Sequence, residues 1–128
     1  MTDYRTEPFD LIHNSTYTYY RLYVDNECEF DNFLEEVKNN VTKVKSIKSL
    51  LALMEMFGNN LLPKEKFRQI HTEDIKREDI FEFKKDNLRV YVIKQKPNIY
   101  IVLGGYKKYQ DKDIKRLKKK VKEFPKEK

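Results

Sequence analysis

The residues of this chain best suited to chemistry are cations, and they crowd into its second half. Residues 84–128 hold 16 Lys or Arg against 5 Asp or Glu, a net +11, whereas residues 1–83 hold 11 against 16, a net −5. An acidic front and a strongly basic back point to a partner that carries phosphates, or to an acidic protein. Two lysine pairs stand out, Lys84-Lys85 and Lys107-Lys108, the second flanked by Tyr106 and Tyr109. Ammonium groups beside tyrosines suit a nucleic acid, because the cations hold the backbone while a ring stacks on a base. Arg89 adds a guanidinium, which can meet a phosphate with two parallel N–H donors. Arg68 and Lys66 extend the set. Lysines that merely solvate a helix are the competing reading of the same charge.

Other chemistries are bounded by composition. Cys28 is the only cysteine, so there is no intrachain disulfide and no Cys-based zinc site. Two histidines, His13 and His71, do not make a His-rich metal site, and His71 reads as an exposed loop residue. Of three glycines two are adjacent, so no Gly-rich loop can cradle phosphates. No metal or cofactor is expected. The longest apolar run is about five residues, against roughly 18 for a membrane span. Asp3, Glu7 and Asp10 around Phe9 do not make a signal peptide. These features predict a soluble, cytoplasmic protein.

The chain's 128 residues predict one domain. Only 39% are hydrophobic, but nine Tyr and eight Phe supply enough bulk for a core. Residues 1–15 show no period and read as an extension of uncertain order, with a single domain over 16–128. Residues 16–24 are aromatic and β-branched and predict a strand, stopped by Asp25-Asn26. Phe30, Phe33, Leu34 and Val37 fall on one helical stripe, and Val41, Val44, Ile47, Leu50, Leu51, Met54 and Phe57 continue the period to Gly58. That predicts a helical hairpin, with Leu51 among its core residues. Short strands over 81–83, 88–93 and 99–103, separated by Asp86-Asn87 and by a turn with Pro97, predict an antiparallel meander ended by Gly104-Gly105. Asp111 is a candidate cap for a last helix with Ile114, Leu117, Val121 and Phe124 on its stripe.

The predicted class is α+β, in the order β-α-α-β-β-β-α, with an antiparallel sheet and the helical hairpin on one face. Alternation puts Leu88, Val90, Val92, Ile99, Ile101 and Leu103 under the hairpin. Arg89, Tyr91 and Tyr100 then share the other, partly open face, which becomes the candidate functional surface.

A set of phrases in this order resembles a known family. They are Phe67-Arg68-Gln69-Ile70, Ile80-Phe81-Glu82-Phe83, Leu88-Arg89-Val90-Tyr91-Val92, Ile99-Tyr100-Ile101-Val102-Leu103 and Gly105-Tyr106-Lys107-Lys108-Tyr109-Gln110, with Phe33-Leu34-x-x-Val37 in the first helix. Together they cover about residues 17–124 and resemble the RelE/ParE toxin superfamily, closest to its HigB-like branch. The resemblance implies the toxin of a type II toxin–antitoxin pair, neutralised by a cognate antitoxin protein. Many such toxins cleave messenger RNA in the ribosomal A site without a metal. ParE-like members inhibit DNA gyrase instead.

For the cleavage reaction, the 2′-hydroxyl attacks phosphorus, a base and an acid move protons, and cations stabilise the added negative charge. The resemblance implies Arg89, Lys108 and Tyr109 as catalytic residues, and Lys84, Lys85, Lys107 and Arg68 as contacts to RNA. The sequence also departs from the family. No histidine follows residue 71, and neither Tyr109 nor Gln110 supplies a second arginine. Three expectations therefore stand: a ribosome-dependent endoribonuclease, a ParE-like gyrase inhibitor, or a catalytically degenerate RNA-binding homologue. The first requires Arg89 to be exposed beside Lys108 and Tyr109.

Overall fold

The computed structural model describes residues 2–58, 62–63, 65–71 and 76–126. Asn59 and Asn60, which follow Gly58 in the sequence, lie outside the described residues. The described residues form six strands and three helices: β1 (Tyr4–Pro8), β2 (Thr18–Val24), α1 (Glu29–Val37), α2 (Val41–Met56), β3 (Phe67–Gln69), β4 (Ile80–Lys85), β5 (Leu88–Gln95), β6 (Asn98–Tyr106) and α3 (Gln110–Val121). A single 3₁₀ turn over Lys107–Tyr109 joins β6 to α3. No described helix is long and apolar enough to cross a membrane.

The α+β class is as expected, but the order differs. One strand precedes residues 18–24 and another precedes residues 80–85. The strands form one sheet in the order β1-β2-β6-β5-β4-β3. The sheet is mixed, because β2 runs parallel to β6 while all other neighbours are antiparallel. After the helical hairpin and strands β3 to β5, the chain returns as β6 directly beside β2 and runs in the same direction.

The first strand corrects the reading of residues 1–15. β1 pairs with β2 from Tyr4↔Val24 to Pro8↔Tyr20. The Tyr4 hydroxyl donates to the Lys120 carbonyl of α3 at 2.6 Å, and its ring meets Phe124 edge-on. Phe9 and Ile12 are buried in the hairpin core. Arg5, Glu7 and Pro8 give this edge strand the charges and proline that discourage further pairing.

Both faces of the sheet are covered. Phe30, Phe33, Val37, Ile47, Leu50 and Met54 of the hairpin pack on Phe83, Leu88, Val90, Val92, Ile99 and Ile101. On the other face Leu117 and Val121 of α3, with Phe124, pack on Leu22, Ile80, Tyr91, Ile93, Val102 and Leu103. The open face expected around Arg89, Tyr91 and Tyr100 is therefore closed by α3. Leu103 also changes sides. The β5–β6 register shifts between Tyr91 and Val92, so that Val92 faces Ile101 and Tyr91 faces Leu103. This β-bulge reverses the alternation after Ile101.

Gly104 and Gly105 do not end the meander but lie within β6. A Cβ on Gly104 would fall 2.3 Å from the Phe33 ring, and one on Gly105 would fall 1.9 Å from Asp113 Oδ2. Adjacent strand residues face opposite ways, so the pair lets α1 and α3 approach β6 from opposite sides. α3 begins without a side-chain cap: its N-cap is Tyr109, and Asp111 lies in the first turn. Its far end is held instead by buried Arg77, which donates to the carbonyls of Val121, Phe124 and Pro125 and pairs with Asp79. Those donors hold the last carbonyl of the helix and two carbonyls of the segment that follows it.

Candidate nucleic-acid interface

A row of polar side chains crosses the α3 face of the sheet. Arg68 faces Glu82 across β3 and β4, and Glu82 faces Tyr91 across β4 and β5. Directly opposed residues share a face, so the three form a ladder. Glu82 is completely buried. One of its carboxylate oxygens accepts from Arg68 Nε, and the other accepts from Gln110 Nε2 in the first turn of α3, at 2.7 Å. A buried carboxylate needs both partners, because an unpaired oxygen would keep its full desolvation cost. Tyr91 is equally buried. Burial, with Glu82 and Asp113 nearby, pushes its phenol well above the usual range.

The next row is Lys84, Arg89 and Gly105. Arg89 is only 7% exposed, which corrects its expected place at the surface. One guanidinium nitrogen donates to the Asp86 carbonyl at 3.0 Å and to the Leu88 carbonyl at 2.8 Å, while Nε is buried without an acceptor. Arg89 thus braces the β4–β5 turn. Glu82, the carboxylate of the preceding row, is taken by Arg68 and Gln110.

The lysines fare differently. Lys107 and Lys108 are exposed on the 3₁₀ turn, with Tyr109 46% exposed beside them. Lys108 Nζ lies 5.1 Å from the Tyr109 ring centre. The Lys107 amide donates to the Asn87 carbonyl at 2.8 Å, and this bond pins the turn to the tip of the β4–β5 hairpin. Lys84 and Lys85 do not act as a pair. Lys84 opposes Arg89 on the α3 face, while Lys85 opposes Leu88 on the hairpin face. Arg68 is half-exposed at the sheet edge, with its head on Glu82. Tyr106 packs on Phe33, with Lys43 Nζ 4.2 Å above its ring. Tyr100 stacks on Tyr20 and meets Phe124 at a tilt. His13 and His71 are both exposed.

The structure thus brings Lys84, Lys107 and Lys108 to one end of the sheet, with Arg68 at its edge. It does not bring Arg89 to the surface with them. The groups able to move protons in this row, Glu82 and Tyr91, are sealed beneath the start of α3. Sequence reasoning missed Asp113, and weighed Gln110 only as a position that lacks a second arginine. Both lie at helical spacing from Leu117 and read as ordinary polar residues of a first turn. Among the described residues no group of three or more His, Cys, Asp or Glu is placed to hold a metal ion. Set against protein-family models, curated proteins and solved structures, the chain matches none.

Proposed function

We propose that the protein is an RNA-binding toxin component of a toxin–antitoxin pair, which arrests translation in the cytoplasm by holding RNA phosphates at the basic end of its sheet. The observation that carries this reading is the hydrogen bond from the Lys107 amide to the Asn87 carbonyl. It fixes Lys107 and Lys108 at the hairpin whose strand carries Lys84, and so concentrates exposed cations at one end of the fold. Phosphate contacts of this kind supply most of the affinity for nucleic acid. The antitoxin would cover the same end with acidic side chains.

A second reading, ribosome-dependent cleavage of messenger RNA, draws on the buried row. Arg89 Nε and the Tyr91 hydroxyl make no hydrogen bond of normal geometry. Gln110, held on Glu82 beside Tyr91, would have to lift for a substrate phosphate to reach Tyr91, with Lys108 and Tyr109 at the margin. Gyrase inhibition is the third outcome.

Purified protein is added to a translating extract and to naked messenger RNA, and 5′ ends are mapped by primer extension. Binding without cleavage predicts arrested translation, no new ends, and relief in the Lys107→Ala/Lys108→Ala variant. New ends that require ribosomes would replace this reading with cleavage. Unarrested translation with loss of DNA supercoiling activity would move the assignment to gyrase.

A further inference from the structure

The outward face of α3 carries one sign of charge along its length. Lys112, Lys115, Lys119 and Lys122 follow one another at spacings of three, four and three, the last at the C-cap. At about 3.6 residues per turn they fall within an arc of about 80° and span about 15 Å of helix axis. All four are exposed. Asp113, Leu117 and Val121 are buried on the opposite side of the helix. From 112 to 122 the one acidic residue is that buried Asp113.

Other cations of α3 are engaged within the fold. Arg116 pairs with Glu29 and Asp113, and Lys120 Nζ lies 3.6 Å from Glu29. Among the described residues, no ion pair or hydrogen bond engages the four ammonium groups of the stripe.

The stripe works against the helix that bears it. Like charges three and four positions apart on a helix repel. Lys112, in the first turn, also faces the positive end of the helix dipole. A surface that serves only solubility mixes its signs, as α1 does by pairing Glu35 with Lys38. A local rule broken along a whole face points to a partner that relieves the repulsion.

The chemistry of the stripe selects that partner. Lysine is a compact point charge on a flexible stem, suited to phosphates held without sequence readout. A protein partner needs apolar or aromatic anchors. The stripe has none, since Ile114 is half-buried and lies off it. It also begins where the basic end of the sheet stops. Lys108 stands one turn before Lys112, and the 3₁₀ turn leads directly into α3.

We propose that α3 is a track for RNA, with Lys112, Lys115, Lys119 and Lys122 holding consecutive phosphates of a strand laid along the helix axis. The track rests on the RNA-binding reading and adds a direction to it, away from the hairpin tip and toward the end of α3.

The test is fluorescence anisotropy of the full chain with a labelled twelve-nucleotide oligouridylate and, separately, a labelled twelve-base-pair RNA duplex, over a series of salt concentrations. Lys115→Ala/Lys119→Ala should weaken binding about tenfold or more near 0.1 M salt, and should lower the salt slope by about 1.4 for a single strand, at about 0.7 per phosphate contact. Lys45→Ala/Lys48→Ala removes the same charge from exposed positions of α2, in the opposite layer, and should leave that slope unchanged. Binding of the oligouridylate alone identifies an unpaired strand, and binding of the duplex as well admits a paired one. Lys115→Glu sets a carboxylate three and four positions from Lys112 and Lys119. It should melt at or above the parent temperature and yet bind RNA more weakly, a split that a purely structural role would not produce. Failure of the parent to bind either RNA overturns the RNA reading itself. Parent binding that Lys115→Ala/Lys119→Ala leaves unchanged overturns the track alone. Poly-L-glutamate that displaces the RNA as well as unlabelled RNA does, charge for charge, overturns the track in favour of an acidic protein.

Discussion

Arg89 shows how a residue's surroundings change what its substitution measures. An exposed phosphate-binding arginine can be removed without cost to the fold. Arg89 instead ties the carbonyls of Asp86 and Leu88. Arg89→Ala should therefore destabilise the protein by about 1–3 kcal/mol, seen as a lower melting temperature. An unchanged melting curve would return Arg89 to the surface. Arg68 reverses the expectation for a half-exposed side chain, because its partner Glu82 is completely buried. Arg68→Ala leaves a buried carboxylate oxygen without its donor and should cost about 1–3 kcal/mol in chemical denaturation. Adding Glu82→Gln should recover part of that loss, since the stranded charge is gone. Asp113 gives a pH signature. Burial raises its carboxyl above the usual range, and Arg116 offsets this only in part. The folded state then holds the proton more tightly than the unfolded chain. Stability falls as pH climbs through the interval between the two values. Asp113→Asn should melt higher than the parent at neutral pH, and that advantage should vanish in acid, below the unfolded carboxyl range.

At the scale of elements, β6 is the member on which both layers depend. Phe33 of α1 rests on Gly104 and Asp113 of α3 rests on Gly105. Gly104→Ala must displace an aromatic ring in a packed core and should cost about 1–3 kcal/mol by overpacking, measured by thermal or denaturant melting. Phe33→Leu in the same chain should relieve part of the clash. The glycine pair was visible in the sequence, but it read as a terminator. Only contact from two helices on opposite faces distinguishes a strand that needs glycine from one that stops at it. The bulge between Tyr91 and Val92 is similar. Strict alternation sends Leu103 toward the hairpin, and one extra residue in β6 turns it to α3. The composition of these aliphatic strands carries no mark of where that residue sits.

The whole molecule is a sheet between two unequal layers, and its stability should follow the thicker one. Leu50 is completely buried between α2 and the sheet, whereas Leu51 is only partly so. Leu50→Ala should cost about 2–5 kcal/mol, and Leu51→Ala clearly less. Equal losses would mean that α2 is rotated about its axis. The N-terminal strand binds the two layers together, since Tyr4 reaches α3 while Phe9 and Ile12 enter the hairpin core. A segment that reads as an extension of uncertain order thus contributes a strand to the sheet. Its five strand residues contain a proline and alternate weakly, so nothing local identifies it. The partner strand β2 supplies the pairing.

Periodicity by itself determined α1, α2, α3 and the cores of β2, β4, β5 and β6, because an apolar stripe has to be buried whatever the partner. Charge by itself determined that the second half of the chain is basic and that Lys107 and Lys108 precede the last helix. Three matters were left to the tertiary structure. Whether the Arg89 face is open depended on where α3 lands, which turns on long-range packing against Leu22, Val102 and Leu103. The parallel join of β2 to β6 arose from pairing two strands far apart in the sequence. The carboxylates of Glu29 and Asp113, 84 positions apart in sequence, share one arginine only because that join brings α1 and α3 together. Local residue patterns encode what an element must bury, and the meeting of distant elements decides which polar groups are left without partners.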